Sequence, residues 1–179
     1  MSKLSSRNKI YPEKKVNNFN ELLNSTTKEF GSNIAFTVKD KDKTLHDISF
    51  IDFNNTVKEL GTALLNLHLK NDKIGILSPD RYEWCCSYFA IATSGNTIVP
   101  LDCLLPQIEL EKLITRSGIK AVIFDSKFLP MITSLKESKS TSLEFLICMD
   151  SESDSDQIFS YSNLISTGQK LLEDRRYSI

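Results

Sequence analysis

Lys73-Ile74-Gly75-Ile76-Leu77-Ser78 is a short, uninterrupted apolar segment, and Thr97-Ile98-Val99-Pro100-Leu101 is a second one. Between them, residues 81–94 are apolar around most of a helical circumference and end before Gly95. Short apolar runs are typical of strands buried on both faces, and a helix of this kind is buried on more than one side. Strand, helix and strand in this order predict a right-handed crossover between two parallel strands.

The same unit continues downstream. Pro106 begins a second helix, because proline is tolerated in the first turn, and Gly118 ends it. The predicted inner face of this helix consists of Leu110, Leu113 and Ile114. A third strand follows at 120–124, a shorter helix at 128–136 and a fourth strand at 143–148. Four strands alternating with three helices predict an α/β fold with a mostly parallel sheet and crossover helices.

An N-terminal helix and a β-hairpin precede this predicted sheet. The helix starts at Asn18, and Gly31 closes it. Two apolar runs within 34–48, separated by a polar turn, predict an antiparallel hairpin that stands apart from the parallel sheet or at its edge.

Two capping signals mark the starts of longer helices. Ser49 and Asp52 precede an amphipathic helix. Asp80 and Glu83 predict a second capping box, at the start of the apolar helix 81–94.

Composition divides the chain into four parts. Residues 1–16 are polar and predict a flexible arm, and 17–149 form the α/β subdomain. Residues 150–157 are an acidic, Ser-rich loop, and 158–179 contain a last helix. The acids of the loop alternate as in a calcium-binding EF-hand, but the glycine and the bidentate glutamate of that motif are absent, which favours a solvated linker.

Composition also excludes several classes of protein. The net charge is −1, whereas a nucleic-acid binder normally carries a basic patch, so no nucleic-acid partner is expected. No apolar run approaches the ~18 residues of a membrane span, and no apolar core follows the basic first residues, so a secretory signal is not expected. Four cysteines without a C-x-x-C pair predict free thiols in a cytoplasmic protein.

The residue pattern contains no reaction centre. The six glycines are too widely spaced for a G-x-G-x-x-G motif or a P-loop. His46 and His68 have no ligand-type partner at helical spacing, so no metal is expected. Cys85 and Cys86 lie in an apolar helix, where burial makes a thiol inert. Trp84 of the same helix is read as a core anchor rather than as a ligand-stacking group. We expect no catalytic residue and no cofactor for this chain by itself.

Position still suggests a binding crevice. In open α/β sheets, ligands bind outside the carboxyl ends of the strands. The candidate crevice residues at these ends are Ser78, Asp80, Arg81, Asp102, Asp125 and Ser126. Asp80 and Ser126 have an alternative and favoured interpretation as helix caps.

Several segments, in their order along the chain, resemble the first third of an AMP-forming acyl-CoA synthetase. Two of them are the helix starts Phe19-Asn20-Glu21-Leu22-Leu23 and Ile48-Ser49-Phe50-Ile51-Asp52-Phe53. A third, Asp80-Arg81-Tyr82-Glu83-Trp84, is similar to the family's N-R-x-E-W turn. The fourth, Gly95-Asn96-Thr97-Ile98-Val99-Pro100-Leu101-Asp102, is similar to its G-x-x-x-V-P-L-D motif. The resemblance covers roughly residues 17–175 and is strongest to bacterial long-chain fatty-acid ligases. Asp80 stands where the family more often has asparagine.

The resemblance implies a partial N-terminal domain of an acyl-CoA-synthetase-like fold. A full-length relative converts a fatty acid, ATP and CoA into acyl-CoA, AMP and pyrophosphate, with Mg. Its Ser/Thr/Gly-rich phosphate loop, its ribose-binding aspartate and its C-terminal catalytic lysine have no counterpart in residues 1–179. In relatives the phosphate loop follows a segment like 159–177, so we expect an inactive fragment of a ligase.

Two partners follow from this expectation. One is the remainder of a ligase chain. The other is a second copy, because a truncated sheet would leave the apolar helix 81–94 partly uncovered. The alternative function is a stand-alone, non-catalytic α/β binding or interaction domain. A flavodoxin-like binding domain is disfavoured by the dispersed glycines and by the helix and hairpin that precede the sheet.

Overall fold

The computed structural model describes residues 15–40, 42–138, 140–155 and 157–174. The strands are β1 (Ile34–Lys39), β2 (Leu45–Ser49), β3 (Lys73–Leu77), β4 (Thr97–Pro100), β5 (Ala121–Phe124), β6 (Phe145–Cys148) and β7 (Ile158–Ser160). The helices are α1 (Phe19–Phe30), α2 (Phe50–Asn66), α3 (Tyr82–Thr93), α4 (Gln107–Ser117), α5 (Leu129–Glu137), preceded by a 3-10 turn over Ser126–Phe128, and α6 (Tyr161–Glu173). Most of the predicted arm 1–16 and the tail 175–179 lie outside the described residues.

A five-stranded sheet, in the order β4-β3-β5-β6-β7, forms the centre of the fold, and every neighbouring pair is parallel. The predicted parallel sheet and its crossover helices are confirmed, and the hairpin β1–β2 is antiparallel and separate. The prediction of four strands is wrong, because β7 pairs with β6. Three residues are too short to show an alternating pattern, so only pairing with β6 defines this strand.

The strand order places a switch point between β3 and β5. The connection from β3 runs outward to β4, whereas the connection from β5 runs the other way, to β6. Adjacent strands whose connections diverge leave a crevice outside their carboxyl ends. The residues that follow β3 and β5 therefore occupy the position where this class of sheet binds ligands.

Helices cover both faces of the sheet. Side chains from α2, α3 and α6 pack with one face of the strands, including Ile74 and Ile123. Side chains from α4 and α5 pack with the opposite face, including Val122 and Phe124. Leu113 of α4, predicted to face inward, is 37% exposed, because Leu110 and Ile114 already fill the inner face.

The apolar helix α3 packs against α2 and also contacts the N-terminal helix α1. The Phe19 ring of α1 contacts Phe89 and Tyr88 edge-on, with centroids 5.3 and 6.2 Å apart. No large apolar side chain of α3 is among the exposed ones in the described residues. Tyr82, Trp84, Tyr88 and Phe89 are nevertheless only half-buried, so α3 is partly accessible, as predicted, without a fully exposed apolar side chain. Exposed apolar side chains lie elsewhere, with Leu104 the most accessible of them at 88%.

One of the two predicted caps is confirmed. Ser49 Oγ accepts from the backbone N–H of Asp52 at 3.1 Å, and Asp52 accepts from the backbone N–H of Ser49. Asp80 does not cap α3, whose N-cap is Arg81 without a side-chain hydrogen bond. The Glu83 carboxylate instead accepts a hydrogen bond from the Arg81 guanidinium. This bond replaces the one to the backbone N–H that a capping box would form.

The turn after β5 also has a different cap from the one predicted. Asp125 accepts from the backbone N–H of Lys127, so the cap of the 3-10 turn is Asp125 rather than Ser126. Among the residues described, no helix has the length and apolarity needed to cross a bilayer.

Candidate functional site

Arg81 lies at the switch point and forms ion pairs with carboxylates from three parts of the chain. Its Nε donates to Glu83 Oε2 at 2.7 Å, on the first turn of α3. Its Nη1 donates to Asp150 Oδ1 at 2.8 Å, after β6, and lies 3.5 Å from Asp125 Oδ2, after β5. The guanidinium fork suits such multiple pairing, since its donors diverge in one plane.

Asp150 connects Arg81 to the turn that follows β5. Its second oxygen, Oδ2, accepts the backbone N–H of Ser126 at 2.9 Å. The residues that follow β3, β5 and β6 are therefore joined by one arginine and one aspartate. We call Arg81, Glu83, Asp125, Ser126 and Asp150 the Arg81 cluster.

Protonation in the cluster follows from these contacts. The hydrogen bond to Glu83 raises the pKa of Arg81 above its ordinary value, despite an opposing effect of burial. Burial raises the pKa of Asp150, but the hydrogen bond from Ser126 and the ion pair with Arg81 outweigh it, and the net pKa is lowered. Arg81 and Asp150 are therefore both charged at neutral pH.

A groove of about 470 Å³ lies beside the cluster, at the carboxyl ends of β3 and β4. Ser78, Asp80 and Asp102 line it, together with Trp84 and Leu104. Trp84 is only half-buried and stacks on Tyr88, with ring centroids 5.4 Å apart and planes 20° apart. It packs against the buried core, as the predicted core anchor, but part of its ring remains accessible in the groove.

The six predicted crevice residues thus fall into two sets. Arg81, Asp125 and Ser126 meet in the Arg81 cluster, and the other three line the groove. The sequence analysis missed Asp150, which was assigned to a solvated linker. A positional signal for it exists, because Asp150 follows the buried strand β6 closely, as Asp125 follows β5.

The residues at this edge do not fit the phosphates of a nucleotide. Segments 78–83, 101–105, 125–127 and 149–151 contain five carboxylates but only two cations, Arg81 and Lys127. The charge of Arg81 is already paired with carboxylates. A triphosphate would meet net negative charge and no glycine-rich loop.

Other reactive groups do not form a second site. In the described parts of the chain, no three His, Cys, Asp or Glu side chains converge to hold a metal ion. All four cysteines are free. Burial raises the pKa of Cys86 to about 12 and also raises that of Cys85, so these thiols are inert at neutral pH, as predicted.

Comparison with known proteins agrees with the fold and its order of elements. Residues 24–171 match the family described as AMP-binding enzyme. The chain belongs to the AMP-binding enzyme family. The resemblance seen in the sequence is thereby confirmed.

Curated relatives of this chain include acyl-CoA ligases. The long-chain-fatty-acid–CoA ligase FadD13 of Mycobacterium tuberculosis is 30% identical over 67 residues, 37% of this chain and 13% of FadD13. The mitochondrial medium-chain acyl-CoA ligase ACSF2 of Homo sapiens is 27% identical over 109 residues, 60% of this chain and 17% of ACSF2.

Solved structures share the fold. The anthranilate CoA ligase AuaEII, in complex with anthranoyl-AMP, superposes with a TM-score of 0.72 at 24% identity, over 84% of this chain and 28% of AuaEII. The N-terminal domain of FACL13 from Mycobacterium tuberculosis superposes with a TM-score of 0.68 at 19% identity, over 85% of this chain and 36% of that domain. The chain thus spans about a third or less of each of these proteins.

Proposed function

We propose that the chain supplies the first α/β unit of the adenylation domain of a fatty-acid–CoA ligase and does not activate a carboxylate by itself. The observation that carries this proposal is the family match over residues 24–171. The relatives' names, long-chain and medium-chain acyl-CoA ligases, support an aliphatic carboxylic acid as the substrate of the whole enzyme.

In this proposal the whole enzyme uses ATP, Mg and CoA, and residues outside these 179 hold the nucleotide phosphates. The acidic strand ends support this division, because they do not suit a triphosphate. The chain's own contribution is structural: the Arg81 cluster fixes the loops after β3, β5 and β6 relative to one another. Its partner is the remainder of a ligase chain, whereas association with a second copy stays a prediction that sedimentation tests.

The proposed compartment is the cytoplasm, and the four free thiols support it. The mammalian relatives are mitochondrial ligases, so subcellular fractionation is the appropriate test.

A pyrophosphate-release assay tests the proposed function. The purified 179-residue chain is incubated with MgATP and saturated fatty acids of medium and long chain length, beside a full-length acyl-CoA ligase as positive control. We expect release equal to the buffer blank, since adenylation requires charge stabilisation at the α-phosphate. Fatty-acid-dependent release that co-purifies with the chain would contradict the proposal.

The reading frame after the codon for Ile179 gives an independent test. Continuation into a Ser/Thr/Gly-rich loop would support a unit of a longer ligase. A stop codon, together with a stable and monomeric chain, would favour the stand-alone domain instead.

A further inference from the structure

The groove at the carboxyl ends of β3 and β4 has a chemical character that the proposed scaffold role does not require. Its walls combine apolar side chains, among them Trp84 and Leu104, with the carboxylates of Asp80 and Asp102. We infer that this groove binds an arginine side chain flanked by apolar residues, presented by a protein segment. This inference goes beyond the proposed function and does not depend on it.

The two carboxylates are available to a ligand. Within the part of the chain that the structure describes, Asp80 makes no hydrogen bond or ion pair. Asp102 uses Oδ1 to accept the backbone N–H of Leu104 at 2.9 Å, which holds the loop and leaves Oδ2 for another donor. A guanidinium has five N–H donors and can bond to more than one carboxylate.

The nearest cation does not neutralise the groove. Arg81 follows Asp80 in sequence, but Glu83 and Asp150 hold its guanidinium at 2.7 and 2.8 Å. The carboxylates of the groove therefore add to an edge that is already rich in negative charge. Such a surface attracts a cationic partner and disfavours an anionic one.

Trp84 favours arginine over a metal ion. Two aspartates are fewer oxygen ligands than Ca²⁺ takes, and the described residues contain no cluster of three metal-ligating side chains. The Trp84 indole is half-buried, stacks on Tyr88 and also lines the groove, so the accessible part of the ring is available to a ligand there. A guanidinium stacks on an indole and pairs with carboxylates in the same pose, whereas the more compact lysine ammonium does so less well.

An exposed leucine side chain on the groove wall favours apolar residues beside the bound arginine. Leu104 is 88% exposed on the groove wall, in the turn that precedes α4. Apolar side chains flanking the arginine would cover Leu104 and exclude water from the ion pair. The partner is thus a segment of the pattern apolar–arginine–apolar.

Trp84 is the only tryptophan in the chain, so its fluorescence and its indole N–H resonance report on this groove alone. The probe is the peptide acetyl-Leu-Arg-Leu-amide, with acetyl-Leu-Lys-Leu-amide and acetyl-Leu-Gln-Leu-amide as matched peptides. We expect a saturable change with the arginine peptide that weakens as NaCl is added, a weaker response to the lysine peptide and none to the glutamine peptide. An equal response to the glutamine peptide, no response to any peptide, or the same change with MgCl₂ alone would overturn the inference.

Peptide binding to variants of the two aspartates is the second test. Asp80→Asn with Asp102→Asn should lower the affinity for the arginine peptide by about fivefold or more, since both charged acceptors are lost. The matched control is Asp47→Asn with Glu144→Gln, the same change of charge outside the groove, which should leave the affinity unchanged. Equal loss in both double variants would show only a general charge effect and would overturn the inference. The peptide comparison on the unaltered chain does not depend on how the variants fold.

Discussion

Arg81 Nη1 donates to Asp150 Oδ1 at 2.8 Å, although 69 positions separate the two residues in sequence. This bond joins the end of β3 to the end of β6, across the intervening strand β5. Asp125, at the end of β5, lies 3.5 Å from the same nitrogen. The crevice that open α/β sheets commonly leave at a switch point is therefore occupied here by the protein's own ion pairs.

Replacement of Arg81 should destabilise the fold, because Glu83, Asp125 and Asp150 would be left as like charges close together. We expect Arg81→Gln to lower the free energy of unfolding by about 1–2 kcal/mol, between the values for exposed and buried ion pairs. Urea unfolding followed by circular dichroism measures this. The exposed Arg116→Gln is the matched control and should change it by less than about 0.5 kcal/mol. Equal stability of both variants would contradict the structural role of Arg81.

Asp150 should make stability depend on acid pH. Its pKa is lowered in the folded state, so its stabilisation is present above the ordinary carboxyl pKa of about 4 and is lost as pH falls through the lowered value. The unaltered chain should therefore be more stable than Asp150→Asn near neutral pH, and the difference should shrink below about pH 4. Urea unfolding at a series of pH values measures it. Exposed Glu152→Gln is the control, and a difference independent of pH would refute the ion pair.

Gly168 should tolerate no side chain. A Cβ at this position would overlap the backbone carbonyl of Glu59, where α6 crosses α2. We expect Gly168→Ala to lower the free energy of unfolding by about 1–3 kcal/mol, because the two helices must separate. The exposed neighbour Thr167→Ala should be neutral or slightly stabilising, since alanine favours the helix. If Gly168→Ala were as stable as Thr167→Ala in thermal unfolding, this packing of α2 on α6 would be wrong.

Gly118 has a left-handed backbone conformation, and a side chain added there would contact no other atom. It ends α4 with φ of +65°, and a Cβ there would meet nothing within 4 Å. Gly118→Ala should therefore cost about 1 kcal/mol from backbone conformation alone, whereas Gly118→Asn should cost less because asparagine tolerates this region. Thermal unfolding of the two variants compares them directly. An alanine variant more stable than the asparagine variant would contradict the left-handed end of α4.

Local chemistry explains which predictions succeeded. The apolar runs around Ile76, Val99 and Ile123 specify buried strands without reference to the rest of the molecule. The Ser49–Asp52 cap forms because both groups lie on one helical turn. The Asp80–Glu83 cap has the same spacing but does not form, since Arg81 binds Glu83 instead. The spacing of Asp80 and Glu83 does not reveal that Arg81 binds Glu83, because Asp150, far along the chain, helps to hold the Arg81 side chain in place.

The sequence by itself determined the type of most elements, the parallel sheet and the family, because periodicity, glycine stops and motif order are properties of nearby residues. It also placed the crevice residues at the strand ends. Only the tertiary structure decided the order β4-β3-β5-β6-β7, the existence of β7, and the division of the strand ends into the Arg81 cluster and the groove. These depend on contacts between residues tens of positions apart, whose geometry exists only after the strands have paired and the helices have packed on them.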